Sequence, residues 1–554
     1  MEHQRRDDGV VDVICIGAGF AGLYVSHVMA KAGRTVAGFE RGADLGGTWY
    51  WNTYPGARCD IESIYYSYSF SDELQQEWEW SERFATQPEI LRYLNHVADR
   101  FDLRRHFTFG TSVVSATWSE EEALWTVGLD TGGSCRGRYL ISAVGPLSTA
   151  KAPDLPGIEK FTGRRVSTSN WDLPLEEFDG KRVAVIGTGS SGVQCIPLIA
   201  DHAQHLTVFQ RTPNYVMPAR NAPLEPDFTR QIKEKYRALR TLCRYSSRGF
   251  PELLRTDKAL EVSEEERQRR YEAGYLVSGF TSVGDEFVDL LTDEEANETA
   301  ANFLREKVNE IVDDPVTASL LEPRYHAFGA KRTCFGTDYY ETYNRTNVDL
   351  VSLRHEPIVA VTEDGILTTD RTVDVDILVL ATGFDAVTGS VLNLNVTTSS
   401  GRSLAKDWAG GPRTYLGIAS EGYPNFFMVA GPQSPGILSN FVVSIEQHVD
   451  WLDRLLTYAE DHGIDRIEVE RAAQDDWVCL VDKVVGETLY ATTESWYRGS
   501  NVEGKPKSFL AYAGGVGKYR DLCDDVAAEG YRGFVLGRSE PAAPAVEMSA
   551  GGQR

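Results

Sequence analysis

Apolar residues in this chain gather in short, near-continuous runs that end on glycine, and stretches of helical period follow them. "VDVICIGAG" reads as a buried strand entering a glycine turn, and "AGLYVSHVMAKAG" behind it as a helix. "KRVAVIGTG" followed by "SSGVQCIPLIADHA" repeats the plan 170 residues further on. Strand–turn–helix units of this kind predict an α/β fold with two Rossmann-like dinucleotide-binding domains. Between 222 and 330 the pattern changes. "SEEERQRRYEAG" and "TDEEANETAANFLREKVNEIVDD" are charged and helix-prone, which predicts a helical insertion in the second domain. The β-like runs "VDLVSL", "IVAVT" and "VDILVLATGFD" then bring the chain back to a glycine turn near 383. The first domain is thus expected over 11–150 and 383–538, and the second over 151–221 and 331–382. Residues 1–10 and 539–554 are expected to be disordered.

Composition narrows the function classes. A length of 554 residues suits two or three domains rather than one core. The formal charge of −25 opposes binding to a nucleic-acid backbone or an anionic membrane, since the long-range field repels both. Eight scattered cysteines without a C-x-x-C pair fit a reducing compartment and exclude a dithiol redox motif or zinc ribbon. No signal peptide, membrane span or metal site is expected. The reading is a cytoplasmic protein and a monomer, with an oligomer left open.

The chemistry sits in the glycine turns. Gly17-x-Gly19-x-x-Gly22 follows a strand and opens a helix, so backbone amides can approach a pyrophosphate. Eighteen residues after Gly22 stands Glu40, placed to accept hydrogen bonds from ribose hydroxyls. The second fingerprint, Gly187-x-Gly189-x-x-Gly192 with Ser190, has Arg211 and Thr212 at the matching place instead of an acid. A carboxylate there would repel a 2′-phosphate, whereas a guanidinium grips one. The first site therefore suits FAD and the second NADPH. Gly46 to Asp60, "GGTWYWNTYPGARCD", adds a wall of large aromatics beside a backbone-rich loop. By residue type alone, Asp60 is a turn or capping carboxylate, Arg332 a surface arginine and Trp496 a core aromatic.

These motifs resemble those of Baeyer–Villiger monooxygenases. "GGTWYWNTYPGARCD", with Gly47 and Trp49, is similar to the family's G-G-x-W-x4-[FY]-P-G-x3-D signature. "FTGRRVSTSNWD" resembles its F-x-G-x3-H-x3-W-[PD] fingerprint through Phe161, Gly163, Trp171 and Asp172. "LATGFDA", "AGPQSPGILSN", "SIEQHVDW" and "SWYRGSNVEGK" extend the likeness over 11–537, nearest to the phenylacetone and steroid branch. One position departs: Ser167 stands where the family has histidine.

The resemblance implies an enzyme that uses FAD, NADPH and O2 to convert a cyclic or aryl-substituted ketone into a lactone or ester through a flavin peroxide. It implies Arg332, in "GAKRTCF", as the catalytic cation and Asp60 as the carboxylate that orients it. Lys331 would join Arg211 at the NADP phosphate, Trp496 would meet the nicotinamide ribose, and Leu438 and Phe441 would shape the ketone pocket. The stretch 161–172 would be an interdomain connector, anchored by Phe161 and Trp171, bending at Gly163, with Ser167 as a structural hydroxyl. The competing readings are an N- or S-oxygenating flavin monooxygenase and a non-catalytic flavin-binding redox protein.

Overall fold

In the computed structural model, which describes residues 9–151, 153–252, 255–279 and 282–538, the two glycine-terminated runs are interior strands of two separate sheets. Val10–Ile16 lies between Val36–Phe39 and Ser134–Ser142, parallel to both, with Val13, Ile14 and Cys15 fully buried. Ser134–Ser142 also pairs antiparallel with Leu124–Leu129 near its start and parallel with Phe426–Met428 at its end. The second sheet has five described strands, all parallel, in the order Val348–Ser352, His205–Gln210, Arg182–Ile186, Ile377–Leu380 and Arg164–Ser167. Parallel strands covered on both faces carry apolar side chains on both, which explains the unbroken runs.

Helix Phe20–Lys31 packs on the first sheet and Ser190–His202 on the second. On its far side Phe20–Lys31 meets helix Phe441–Asp461, whose Trp451 is fully buried. The two segments that join the sheets lie side by side: the Lys151 amide donates to the Gly383 carbonyl at 3.0 Å, and Ala150 bridges Phe384.

The insertion is helical, over Pro226–Tyr245, Glu264–Val277, Glu294–Ile311 and Pro315–Leu321. Its first helix, however, packs against Asp72–Glu77 and Val516–Ala528, away from the second sheet. Buried Arg240 pins it there, donating to Gln75 Oε1 at 2.9 Å, the Tyr65 carbonyl at 3.1 Å and Ser67 Oγ at 2.7 Å. An amphipathic pattern shows that a face is buried without naming the partner.

The stretch 161–172 differs from the connector expected of it. Arg164–Ser167 is an edge strand of the second sheet, paired with Ile377–Leu380. Phe161 is buried in that sheet's core. Gly163 serves close approach rather than bending, since a Cβ there would lie 2.4 Å from the Asp376 carbonyl oxygen. Trp171 stacks on Phe178, and its carbonyl accepts from Thr53 Oγ1 at 3.1 Å, a bond that reaches the Gly46–Asp60 loop of the first unit. Of the termini expected to be disordered, Val10 opens a strand; 1–8 and 539–554 lie outside the described residues.

Candidate active site

Both glycine turns are built alike. The Gly17 amide donates to the Phe39 carbonyl at 2.8 Å, and the Gly187 amide to the Phe209 carbonyl at 3.1 Å. Both glycines have positive φ, 105° and 112°. A Cβ on Gly17 would stand 2.6 Å from the Ala143 carbonyl oxygen, and one on Gly187 2.3 Å from that of Ala381. Gly22 and Gly192 let each helix close on its turn: a Cβ would meet Gly17 O at 1.7 Å and Gly187 O at 2.2 Å. Neither lines the cavity, so their role is packing. Gly19 faces protein as well, its added Cβ falling 3.3 Å from Gly47 Cα, whereas Gly189 faces open space for at least 4 Å. A side chain on Gly19 would therefore meet the Gly46–Gly47 turn.

The two turns open into one cavity of about 1590 Å³. Gly17, Gly19, Glu40, Gly47, Trp49 and Asp60 line it from the first half of the molecule. Gly187, Gly189, Ser190, Arg211, Thr212, Lys331, Arg332 and Trp496 line it as well. Neither helix has a side-chain cap at Gly19 or Gly189, and neither has an acid in its first turn. Their leading N–H groups therefore remain available to an anion. Uncapped amides, a backbone-walled turn at Gly19 and Gly47, and open space at Gly189 fit two dinucleotides. Glu40 is buried and accepts from the Ala18 amide at 2.8 Å and the Gly42 amide at 2.7 Å, so it holds the turn as well as facing the cavity.

Asp60 and Arg332, 272 residues apart in the chain, meet in a bidentate pair. Arg332 Nε donates to Oδ2 at 2.5 Å and Nη2 to Oδ1 at 2.7 Å, while Nη1 reaches the Ile437 carbonyl at 3.2 Å. Burial works against the charge on Arg332, but the Asp60 carboxylate outweighs it and holds the guanidinium pKa above its ordinary value. The result is a fixed cation on the cavity wall, with its fork oriented by a carboxylate.

A second cationic group forms just beyond strand His205–Gln210, where Arg211 stands. Burial, then Arg211 and Arg354, push the Lys331 pKa below the usual lysine value. Among the described residues, no carboxylate pairs with Arg211, Lys331 or Arg354 within salt-bridge distance. Arg354 Nε donates to the Arg211 carbonyl at 3.0 Å and Nη2 to Thr212 Oγ1 at 3.3 Å. Its guanidinium lies 3.8 Å from the Tyr325 ring centre. Arg354 and Tyr325 were not legible as site residues, because no motif marks "VSLRHE" or "EPRYH".

Phe441 lines the cavity at the start of helix Phe441–Asp461, but Leu438 does not; Ile437 takes that place. Leu438 is half-buried against the cluster around Tyr497 and Phe509, to which Ile437 also belongs. The short helix Gly436–Leu438 rotates successive side chains apart, so one residue of register decides which faces the cavity. Ser167 is off the wall too: its Oγ lies 2.8 Å from Ser169 Oγ and accepts from the Ser169 amide at 3.3 Å. Ser169 and Asn170 are the members of that stretch on the cavity.

A fold with two dinucleotide turns sharing one cavity, and an arginine fixed on its wall, is that of an enzyme using two dinucleotides. The family model for flavin-binding monooxygenase-like proteins matches residues 11–224. A Baeyer–Villiger monooxygenase from Pseudooceanicola batsensis is 39% identical over 541 residues, covering 97% of this chain and 98% of that protein. The phenazine N-monooxygenase PhzNO1 of Lysobacter antibioticus is 40% identical over 542 residues, covering 96% and 97%. The structure of an oxidized steroid monooxygenase bound to NADP superposes with a TM-score of 0.91 at 49% identity, covering 95% of this chain and 99% of that one. The chain belongs to the Baeyer–Villiger monooxygenase family.

Proposed function

We propose that this protein is an FAD- and NADPH-dependent monooxygenase that inserts one oxygen atom beside the carbonyl of a cyclic or aryl-substituted ketone. Ketone, O2, NADPH and a proton give lactone or ester, NADP+ and water. The observation that carries the reading is the bidentate Asp60–Arg332 pair on the cavity that both glycine turns share. Bound FAD, once reduced by NADPH, supplies the activation of O2. Gly17, Gly19, Glu40, Gly47 and Trp49 would hold it, and the uncapped amides of the first helix would serve its pyrophosphate. Gly189 and Ser190 would receive NADPH, Arg211, Thr212 and Lys331 would grip its 2′-phosphate, and Trp496 would hold its ribose. Arg332 keeps its charge at any working pH and stabilises negative charge that develops beside the ketone carbonyl. Asp60 orients that fork. Ile437 and Phe441 present apolar surface to the ketone and exclude water, so ring size is discriminated only about tenfold to two-hundredfold per methylene.

N-oxygenation of an aromatic ring nitrogen is the second reading, favoured by the phenazine N-monooxygenase relative. A product assay with NADPH, O2, cyclic and aryl ketones, and phenazine decides between them. Esters or lactones are expected; N-oxide with no ester would replace the first reading by the second. Arg332→Ala should keep FAD and lose ester formation by about a hundredfold to a thousandfold, with NADPH consumption appearing as hydrogen peroxide.

A further inference from the structure

Lys331 and Arg332 are chain neighbours that point to different tasks, one to the cationic group and one to Asp60. One side chain, Asn214, ties their segment to the loop that carries Arg211 and Thr212, beside the Cys334 amide's bond to the Tyr215 carbonyl at 3.0 Å. Asn214 Nδ2 donates to the Arg332 carbonyl at 3.1 Å and to Cys334 Sγ at 3.1 Å. Its Oδ1 accepts from the Tyr215 amide at 3.0 Å, which fixes the orientation of the side-chain amide. His326 Nε2, 3.3 Å from the same oxygen, must then carry the proton. Burial and the nearby Lys331 push the His326 pKa down to about 3, so this pattern persists at working pH. Immediately downstream the two segments become paired parallel strands, Val216–Pro218 with Cys334–Gly336. Asn214 is thus a cross-tie directly ahead of a rigid strand pair, and it lines the cavity.

We infer that Asn214 is a positioning residue that transmits occupancy of the 2′-phosphate grip to the Arg332 guanidinium. This rests on the phosphate-gripping role proposed for Arg211 and Lys331. A bound phosphate draws the 211–214 loop and Lys331 together. The tie at the Arg332 carbonyl makes that movement set the backbone from which the Arg332 side chain springs, so Arg332 is placed when the nucleotide is seated. Without the tie, phosphate still binds, but the backbone at Arg332 no longer follows it.

The test is a double-mutant cycle on the FAD-loaded protein, with NADP+ affinity read by titration and ester and hydrogen peroxide read per NADPH consumed. Asn214→Ala should leave the NADP+ dissociation constant within about threefold of wild type and lower the ester-to-peroxide ratio roughly fivefold or more. Arg211→Ala should weaken NADP+ about tenfold or more in either background. It should shift the ester-to-peroxide ratio only where Asn214 is present. An equal shift from Arg211→Ala in both backgrounds would overturn the role given to Asn214, as would wild-type ester yield from Asn214→Ala. Unchanged NADP+ affinity in Arg211→Ala would instead remove the phosphate grip itself, and the transmission with it. If Asn214→Ala does not retain FAD, Asn214→Leu, which fills a similar volume without a donor, carries the same cycle.

Discussion

At the scale of single residues, Lys331 and Arg332 show how neighbours in sequence acquire opposite electrostatic settings. Burial and two arginines press the Lys331 pKa down, whereas Asp60 lifts that of Arg332 against its burial. A bound 2′-phosphate reverses the pressure on Lys331, so NADP+ binding takes up a proton wherever free Lys331 is neutral. NADP+ affinity should therefore fall as pH rises through the lowered Lys331 pKa, below the ordinary lysine range, while NAD+ affinity stays flat. Titrating both nucleotides across alkaline pH checks this, and Lys331→Arg should abolish the decline. Parallel curves for the two nucleotides would place the titrating group elsewhere. The unfolded chain binds the Lys331 proton more tightly, so this group's cost to the fold shrinks as pH rises. Arg211 was legible from its distance to the fingerprint. Arg354, 143 residues beyond Arg211, was not, since only the pairing of Val348–Ser352 with His205–Gln210 brings it alongside.

At the scale of elements, the two fingerprints share a pattern but differ in what each glycine meets. Gly192 touches its own turn, with a Cβ 2.2 Å from Gly187 O, whereas Gly189 faces open space. Gly192→Ala should destabilise the second sheet's unit by about 1–3 kcal/mol, the usual cost of overpacking, seen as a lower denaturant midpoint. Gly189→Ala should fold and hold FAD as wild type does yet bind NADP+ more weakly, because the methyl enters the nucleotide's space. A normal NADP+ affinity in Gly189→Ala would mean that the nucleotide runs past this turn at a greater distance. The motif could not separate these cases: it records where Cβ is absent, not what lies opposite.

At the scale of the whole molecule, the Asp60–Arg332 pair spans two segments that share no sheet and are remote in sequence. Each side chain is about one-fifth exposed, 21% and 22%, so the pair sits between a surface bridge and a buried one. Asp60→Ala leaves the Arg332 charge without its carboxylate and should cost up to about 3 kcal/mol, the low end for a broken buried pair. Denaturant unfolding of the FAD-loaded variant measures it. Product analysis should show ester formation reduced as well, since the fork loses its orienting partner. No change in stability would mean that water replaces the carboxylate without penalty.

Local chemistry carried the reading in sequence as far as local chemistry reaches. Apolar runs ending on glycine specify strand, turn and helix within some thirty residues, so both dinucleotide turns, Glu40 and Arg211 could be found without coordinates. The resemblance added Asp60, Lys331 and Arg332 by matching motifs whose spacing the chain preserves. What lies across the fold was beyond that reach. The edge strand at Arg164–Ser167, the return of helix Pro226–Tyr245 to the first unit, the exchange of Leu438 for Ile437, and the meeting of Asn214 with Arg332 all depend on long-range pairing. A residue's own pattern encodes that it will be buried or strand-forming. Which surface covers it, and which cavity it faces, is decided by segments hundreds of residues away, through packing that appears only when the sheets and the insertion close on one another.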